Sequence, residues 1–188
     1  MEKSNIDEKI KLLTGSGMWH TREAEGLPSV HLSDGPHGLR KQEEKERQNN
    51  VSLVSTCYPT ASALACSWDV TAAERLGRAV AKEAWNADVA VLLGPGINMK
   101  RSPLCGRNFE YFSEDPFLAG RLGAAYVSAA QGEDVAVSLK HFAANNQETN
   151  RQTSNSQIDE RALREIYLSA FEYVVKTARP ATVMASYN

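Results

Sequence analysis

Four short apolar runs punctuate the chain at wide intervals: Val30-His31-Leu32-Ser33, Val89-Ala90-Val91-Leu92-Leu93, Val135-Ala136-Val137-Ser138-Leu139 and Ala181-Thr182-Val183-Met184. Consecutive rather than alternating apolar positions mark strands covered on both faces, as in a parallel sheet. Between the runs the apolar period changes to three and four. Leu163, Ile166, Tyr167, Ala170, Phe171, Val174 and Val175 form one wide helical stripe, which should stop by Arg179, ahead of Pro180. Leu118, Leu122, Ala125, Tyr126 and Ala129 form a second, opened by Asp115-Pro116, where aspartate caps free amides and proline fits the first turn. A third starts near Thr71, three residues before Glu74 in a capping-box arrangement, and runs through Leu76, Val80, Ala81 and Ala84. The alternation of strand and helix predicts an α/β fold, a parallel sheet with right-handed crossovers, either doubly wound or a barrel.

Polar excursions fall at 34–60, 94–115 and 140–158, each after a strand's carboxyl end. Long loops gathered on that face favour an enzyme, because the sheet holds them still while their residues vary. A closed barrel of this type takes eight strands and typically about 250 residues. Four strands in 188 residues amount to half of one.

A hydrophobic content of 42% fits a globular core, and a formal charge of −2 leaves no electrostatic footprint for nucleic acid or an anionic membrane. The densest charge run, Lys41 to Arg47, mixes both signs and reads as a solvated loop. No stretch approaches the roughly 20 apolar residues of a membrane span, and Met1-Glu2-Lys3-Ser4-Asn5 leads into a polar helix rather than a signal-peptide core, so a cytoplasmic location is expected. Cys57, Cys66 and Cys105 show no metal-ligand spacing and read as reduced, mostly buried thiols. His20, His31 and His37 offer no zinc-type pair, and no metal is expected.

The candidate chemistry sits at the strand ends. In Ser33-Asp34-Gly35-Pro36-His37-Gly38-Leu39-Arg40 the glycines and proline shape a tight turn that can hold Asp34 and Arg40 in one place. Asp34 could accept hydroxyl hydrogen bonds there, or could simply cap the turn with Arg40 as its ion partner. Gly94-Pro95-Gly96 lacks both the ending of a P-loop and the spacing of a dinucleotide fingerprint, which argues against nucleotide binding. Lys100, Arg101 and Arg107 precede Asn108-Phe109-Glu110-Tyr111-Phe112, a mixture of donors, acceptors and aromatic faces that suits a sugar, or alternatively a basic loop over an acidic neighbour. Lys140-His141, followed by the amides Asn145 and Asn146, puts a cation and an imidazole where the third strand runs out, and neither is easily buried without partners. In the terminal Ser186-Tyr187-Asn188, Tyr187 brings a phenol to the mouth of the fourth strand, as a ligand contact or as core packing.

Six segments, SDGPHGLRKQ at 33–42, YPTASALACSWD at 58–69, LLGPGINMKRSPLCGRNFEYFSEDP at 92–116, LKHFAANNQETNR at 139–151, DERALREIY at 159–167 and KTARPATVMASYN at 176–188, resemble in this order the N-terminal domain of glycoside hydrolase family 3. They resemble in particular the bacterial β-glucosidases of the thermostable B type. This resemblance implies that residues 1–188 are part of that domain, the N-terminal half of a (β/α)8 TIM-type barrel with four parallel strands and intervening helices. It also implies a retaining exo-glucosidase that removes terminal β-D-glucose from a β-glucoside and needs no cofactor. By motif, Asp34 would bind the sugar's outer hydroxyls and Arg40 and Arg107 would line the glucose subsite. Lys140 and His141 would bind further hydroxyls, with Met184 and Tyr187 beside the reacting carbon. The family's nucleophilic aspartate lies in a Ser-Asp-Trp segment one strand further on, and its acid/base glutamate in a following domain. Both are therefore expected beyond Asn188.

Retaining hydrolysis needs two carboxyl groups about 5–5.5 Å apart. The positions of Glu110, Glu114 and Asp115 match neither role, so no catalytic residue is assigned within 1–188 and the chain alone is expected to be inactive. Its partners are then glucose or a β-glucoside, the remainder of the enzyme and, through uncovered edges of the first and fourth strands, other copies of itself. Loss of cover over the inward faces of Val89–Leu93 and Val135–Leu139 is expected as well. A glucose-binding remnant or split-enzyme half is the non-catalytic alternative. A β-N-acetylglucosaminidase fits less well, because Ala143-Ala144-Asn145-Asn146-Gln147-Glu148 replaces a Pro-Gly-His-Gly-type continuation.

Overall fold

The computed structural model describes residues 6–24, 26–42 and 51–188. Strands β1 (Leu32–Asp34), β2 (Val91–Leu93), β3 (Ala136–Phe142) and β4 (Thr182–Ala185) lie side by side in that order, each parallel to the next. Leu32 pairs with Val91, Val91 with Ala136 and Leu139 with Val183. A doubly wound sheet reverses its strand order at a switch point. Here the order never reverses, and the crossover helices α3 (Val70–Asn86), α4 (Pro116–Gln131) and α6 (Ser169–Ala178) pack on one another in succession, so they share one side of the sheet. The open choice between doubly wound sheet and barrel is thereby decided for an arc of a barrel.

The core lies between sheet and helices, where Leu92, Val137 and Leu139 meet Val80, Leu122, Val127 and Val174, all fully buried. Helices α3 and α4 approach so closely that a Cβ on Gly77 would stand 2.5 Å from the Tyr126 carbonyl oxygen.

Capping explains where the helices begin. Asp115 accepts from the amides of Phe117 and Leu118 at 2.9 and 3.4 Å, with Pro116 in the first turn, as expected. The third stripe starts two residues earlier than its capping-box pattern predicts: Asp69, not Thr71, is the cap, accepting from the Thr71 amide at 2.8 Å. A short unforeseen helix, α2 (Ala61–Ala65), is capped by Thr60. An exposed helix α1 (Ile6–Lys11) is the polar helix expected near the start. The last stripe is assembled from α5 (Glu160–Ala162), a π-helical turn at Leu163–Tyr167 and α6. Its wider turn shifts the phase of the stripe, so Ala170, Phe171 and Val174 are buried while Val175 is exposed. The helix closes at Arg179, in a left-handed conformation, ahead of Pro180.

Strand β3 is buried at five consecutive positions, from Val137 to His141, and runs three residues beyond the expected end at Leu139. Lys140 and His141 therefore belong to the strand itself. The expected loss of cover falls elsewhere. On β4 only Met184 is half-buried, whereas the outer edge of β1 is partly paired, the Leu32 amide donating to the Trp19 carbonyl at 2.7 Å. Cys105 is buried, but Cys57 and Cys66 are exposed, which corrects the expectation of mostly buried thiols; all three are free. The reading of Lys41 to Arg47 as a solvated loop falls mainly on 43–47, outside the described residues. Among the described residues no helix is long and apolar enough to cross a membrane, and no cluster of three or more His, Cys, Asp or Glu side chains could hold a metal.

Candidate functional site

Across the carboxyl ends of the strands opens a cleft of about 730 Å³. All seven candidate residues, Asp34, Arg40, Arg107, Lys140, His141, Met184 and Tyr187, border it. Asp34 is the last residue of β1 and leads into a turn closed by the Arg40 amide donating to the Asp34 carbonyl at 2.9 Å. Gly35 takes φ +110° there, and a Cβ at that position would lie 2.0 Å from the Gly38 carbonyl oxygen, so only glycine makes the turn. From behind, the buried Tyr126 hydroxyl donates to the Pro36 carbonyl at 3.0 Å.

Charge in the cleft is organised around Lys140, a strand residue only 2% exposed. Its ammonium donates to Asp34 Oδ1 at 3.1 Å and lies 3.3 Å from Glu110 Oε2. The other Glu110 oxygen accepts from Arg107 Nε. Burying an ammonium requires such partners, since removing one member of a buried pair leaves an uncompensated charge. Asp34 thus pairs with Lys140, and its carboxylate still faces the cleft with its side chain 36% exposed. Burial works against the Arg107 guanidinium, but the hydrogen bond and charge of Glu110 outweigh it and hold Arg107 above its ordinary range.

The protonation of His141 follows from its neighbours. Arg107 can only donate, so His141 Nε2, 2.9 Å from an Arg107 terminal nitrogen, accepts. The proton then sits on Nδ1, facing the Tyr111 hydroxyl at 3.1 Å and Asn98 Oδ1 at 3.3 Å. Asn98 is oriented unambiguously, its amide nitrogen donating to the carbonyls of His141 and Ala143 at 2.8 and 3.0 Å while Oδ1 accepts from the His141 amide at 2.8 Å. Burial, and then the positive charges of Arg107, Lys140 and Arg151, push the imidazole down to about 2. It is neutral at physiological pH, as the bonding pattern requires. Burial likewise pushes His37, which also borders the cleft, down to about 4.

Several residues that the sequence places in its polar segments have roles in the site that the sequence does not reveal. Glu110 reads as a loop carboxylate three residues from an arginine, yet it is 5% exposed and joins both central cations. Tyr111, fully buried, has its phenol pushed up by burial and accepts from Asn145 at 2.8 Å. Asn145 also donates to Glu148 at 2.8 Å, and Glu148 pairs with Arg151 at 2.9 Å. Arg151 in turn lies 5.0 Å over the Tyr187 ring. The clustering of polar residues after Lys140-His141 is the available signal for this chain of contacts. In contrast, Lys100 and Arg101 do not border the cleft: Lys100 donates to Ser62 Oγ at 2.6 Å, and Arg101 lies over Tyr167. Asn188 does not border it either. Its Oδ1 accepts from Ser186 Oγ at 2.9 Å and its amide nitrogen donates to Ser154 Oγ at 3.4 Å, so it ties the segment after β4 to the loop after β3.

The arrangement suits a neutral polyhydroxylated ligand. It offers an exposed carboxylate as acceptor, fixed cationic donors, and the aromatic faces of Phe109 and Tyr187 at the rim. A family model described as "Glycosyl hydrolase family 3 N terminal domain" matches residues 36–188. The chain is 51% identical to the thermostable β-glucosidase B of Acetivibrio thermocellus over 192 residues, covering 100% of this chain and 25% of that protein. It is 48% identical to an exo-α-(1→6)-L-arabinopyranosidase of Bifidobacterium longum, covering 97% of this chain and 25% of that one. The crystal structure of a β-glucosidase from Kluyveromyces marxianus in complex with glucose superposes with a TM-score of 0.91 at 45% identity, covering 98% of this chain and 22% of that one. The chain thus spans about a quarter of the length of the relatives it matches.

Proposed function

This chain belongs to glycosyl hydrolase family 3, carrying part of that family's N-terminal domain, and from that premise we propose that its cleft is the sugar-binding side of a retaining exo-β-glucosidase. Asp34 grips the outer hydroxyls of a terminal β-D-glucosyl unit. Lys140, Arg107 and neutral His141 donate to or accept from the others, Arg40 closes the rim, and Met184 and Tyr187 flank the reacting carbon. The observation that carries this reading is the position of Lys140 Nζ between Asp34 and Glu110, beside a histidine whose tautomer Arg107 fixes. Such a preorganised set of charged donors and acceptors offsets the desolvation of sugar hydroxyls.

The catalytic carboxyl pair, in this reading, lies beyond Asn188. Both oxygens of Glu110 are held by cations, so it is not free to attack a sugar carbon or to protonate a leaving oxygen. The test is hydrolysis of an aryl β-D-glucoside by the 188-residue chain and by the uninterrupted reading frame, side by side. Turnover by the longer protein alone is expected; turnover by the chain, free of host enzyme, would overturn the placement of the catalytic pair.

The arabinopyranosidase relative supports a second reading, in which the substrate is an α-L-arabinopyranoside. That sugar lacks an exocyclic hydroxymethyl group. An aryl α-L-arabinopyranoside hydrolysed in preference to the glucoside would decide for it.

A further inference from the structure

Three residues of one short segment hold the Lys140-His141 pair. Arg107 meets His141 Nε2, Tyr111 meets His141 Nδ1, and Glu110 meets Lys140. They are carried by the 3-10 turn Asn108–Glu110, which is closed by the Tyr111 amide donating to the Asn108 carbonyl at 3.3 Å. A three-residue turn has little stability of its own. Something outside the cleft has to place it.

Besides the local bonds from Asn108 to the Ser102 and Cys105 carbonyls, one support from another element is visible at the Asn108 carbonyl, which accepts a second hydrogen bond, from Ser62 Oγ on α2 at 2.8 Å. Lys100 Nζ donates to the same Ser62 oxygen at 2.6 Å. The ammonium polarises the hydroxyl whose proton is directed at the turn, so the two bonds reinforce each other along one line, ammonium to hydroxyl to carbonyl. Lys100 is half-buried, and burial pushes it down from its ordinary range, against the attraction of Cys66. Neither Lys100 nor Ser62 borders the cleft. Of the cations that the sequence offers for sugar contact in this loop, Lys100 is one that the cleft does not use.

We propose that Lys100 and Ser62 are positioning residues, which act through the Asn108 carbonyl to set the turn from which Arg107, Glu110 and Tyr111 hold Lys140 and His141. The consequence for catalysis rests on the β-glucosidase reading; the consequence for the turn does not.

Two measurements on the full-length protein separate them. In the first, Ser62→Ala raises KM for an aryl β-D-glucoside roughly 3- to 30-fold with kcat changed less, the span of couplings carried through a packed network. Lys100→Met does the same to a smaller extent, and Lys100→Arg recovers much of the loss. Because the two residues act in series, the double variant Ser62→Ala with Lys100→Met falls within about twofold of Ser62→Ala alone. In the second, hydrogen exchange at the Glu110 and Tyr111 amides accelerates in both single variants, while the amides of α4 do not change. Unchanged exchange at the turn overturns the brace. Multiplying effects in the double variant, or accelerated exchange with unaltered KM and kcat, overturns its positioning role. An inactive wild-type enzyme would instead sink the glucosidase reading and leave exchange to decide the brace.

Discussion

Strands β3 and β4 pair with each other, and both derive from apolar runs, yet they end in opposite environments. From Val137 to His141 β3 is buried throughout, while β4 is exposed at Thr182, Val183 and Ala185. The difference lies in their neighbours. Strand β3 has β2 on one side, β4 on the other and α4 packed against it, whereas among the described residues β3 is the one strand paired with β4. An apolar run states what a segment can bury; which part is buried depends on what packs beside it. Chemistry follows the same division, since the buried strand carries the central cation and imidazole and β4 contributes Met184 and the approach to Tyr187 at the rim.

This contrast breaks most sharply at Lys140. Replacing it by Met in the full-length protein leaves Asp34 and Glu110 without their shared ammonium, a loss on the order of 3–5 kcal/mol for a broken buried pair. Glucosidase activity should be lost, and the urea midpoint should drop well below that of a rim variant such as Tyr187→Phe. Similar midpoints for the two variants would show that Lys140 is not the hub of the site.

Paired truncations sharpen the comparison within the sheet. Leu139 of β3 is fully buried and its registered partner Val183 on β4 is 45% exposed. Leu139→Ala should cost about 2–5 kcal/mol, while Val183→Ala, at an exposed position, should stay within about 0.5 kcal/mol. Denaturant titrations of the 188-residue chain decide it, and equal costs would mean that β4 is covered in solution.

Acid supplies a perturbation that is smaller per pH unit. The unfolded chain takes up protons on its histidines near pH 6.5, whereas folding pushes His37 down to about 4 and His141 to about 2. Their contribution to stability is therefore complete above pH 6.5 and lost as pH falls, through about 4 for His37 and onward to about 2 for His141. Each adds a slope of up to ~1.4 kcal/mol per pH unit within its window. His37→Gln should make the dependence between pH 6 and 4 shallower; an unchanged slope would contradict the burial of His37 in its neutral form.

Val183→Lys is the gentlest change and bears on assembly. The outer edge of β1 is partly paired by the segment around Trp19, but β4 offers an exposed edge and an exposed Val183. If the isolated chain self-associates through β4, a lysine there should restore a monomer in light scattering, with stability altered by no more than about 0.5 kcal/mol. Persistence of the oligomer would place the contact elsewhere.

Strand β3 is legible in the sequence because two-sided cover demands consecutive apolar residues, β4 shows the same signal without the cover, and Lys140-His141 is legible because charge at the end of a buried strand needs a reason. Glu110 stays hidden for a physical cause. Its spacing from Arg107 is that of an ordinary local ion pair, and only the packing of the 108–110 turn across β3 reveals that the carboxylate also reaches Lys140. The start of α3 departs from its pattern for a related reason: Thr71 with Glu74 and Asp69 with Thr71 are both acceptable local caps, and the sequence does not rank them. Proximity in the chain groups Lys100 and Arg101 with Arg107, although the fold turns Lys100 toward Ser62 and away from the cleft.

Asp34 is where the account is most directly exposed. It is the carboxylate held by Lys140 that still faces the cleft, and on the proposed reading it contacts sugar hydroxyls through bonds that tighten as the transition state forms. The decisive measurement is kcat/KM on an aryl β-D-glucoside for the full-length protein and its Asp34→Ala variant. Loss of one charged hydrogen bond predicts a fall of at least roughly 10- to 150-fold, equivalent to about 1.5–3 kcal/mol, in a variant that remains folded. A folded Asp34→Ala enzyme with the wild-type kcat/KM would contradict the assignment of this cleft to the sugar.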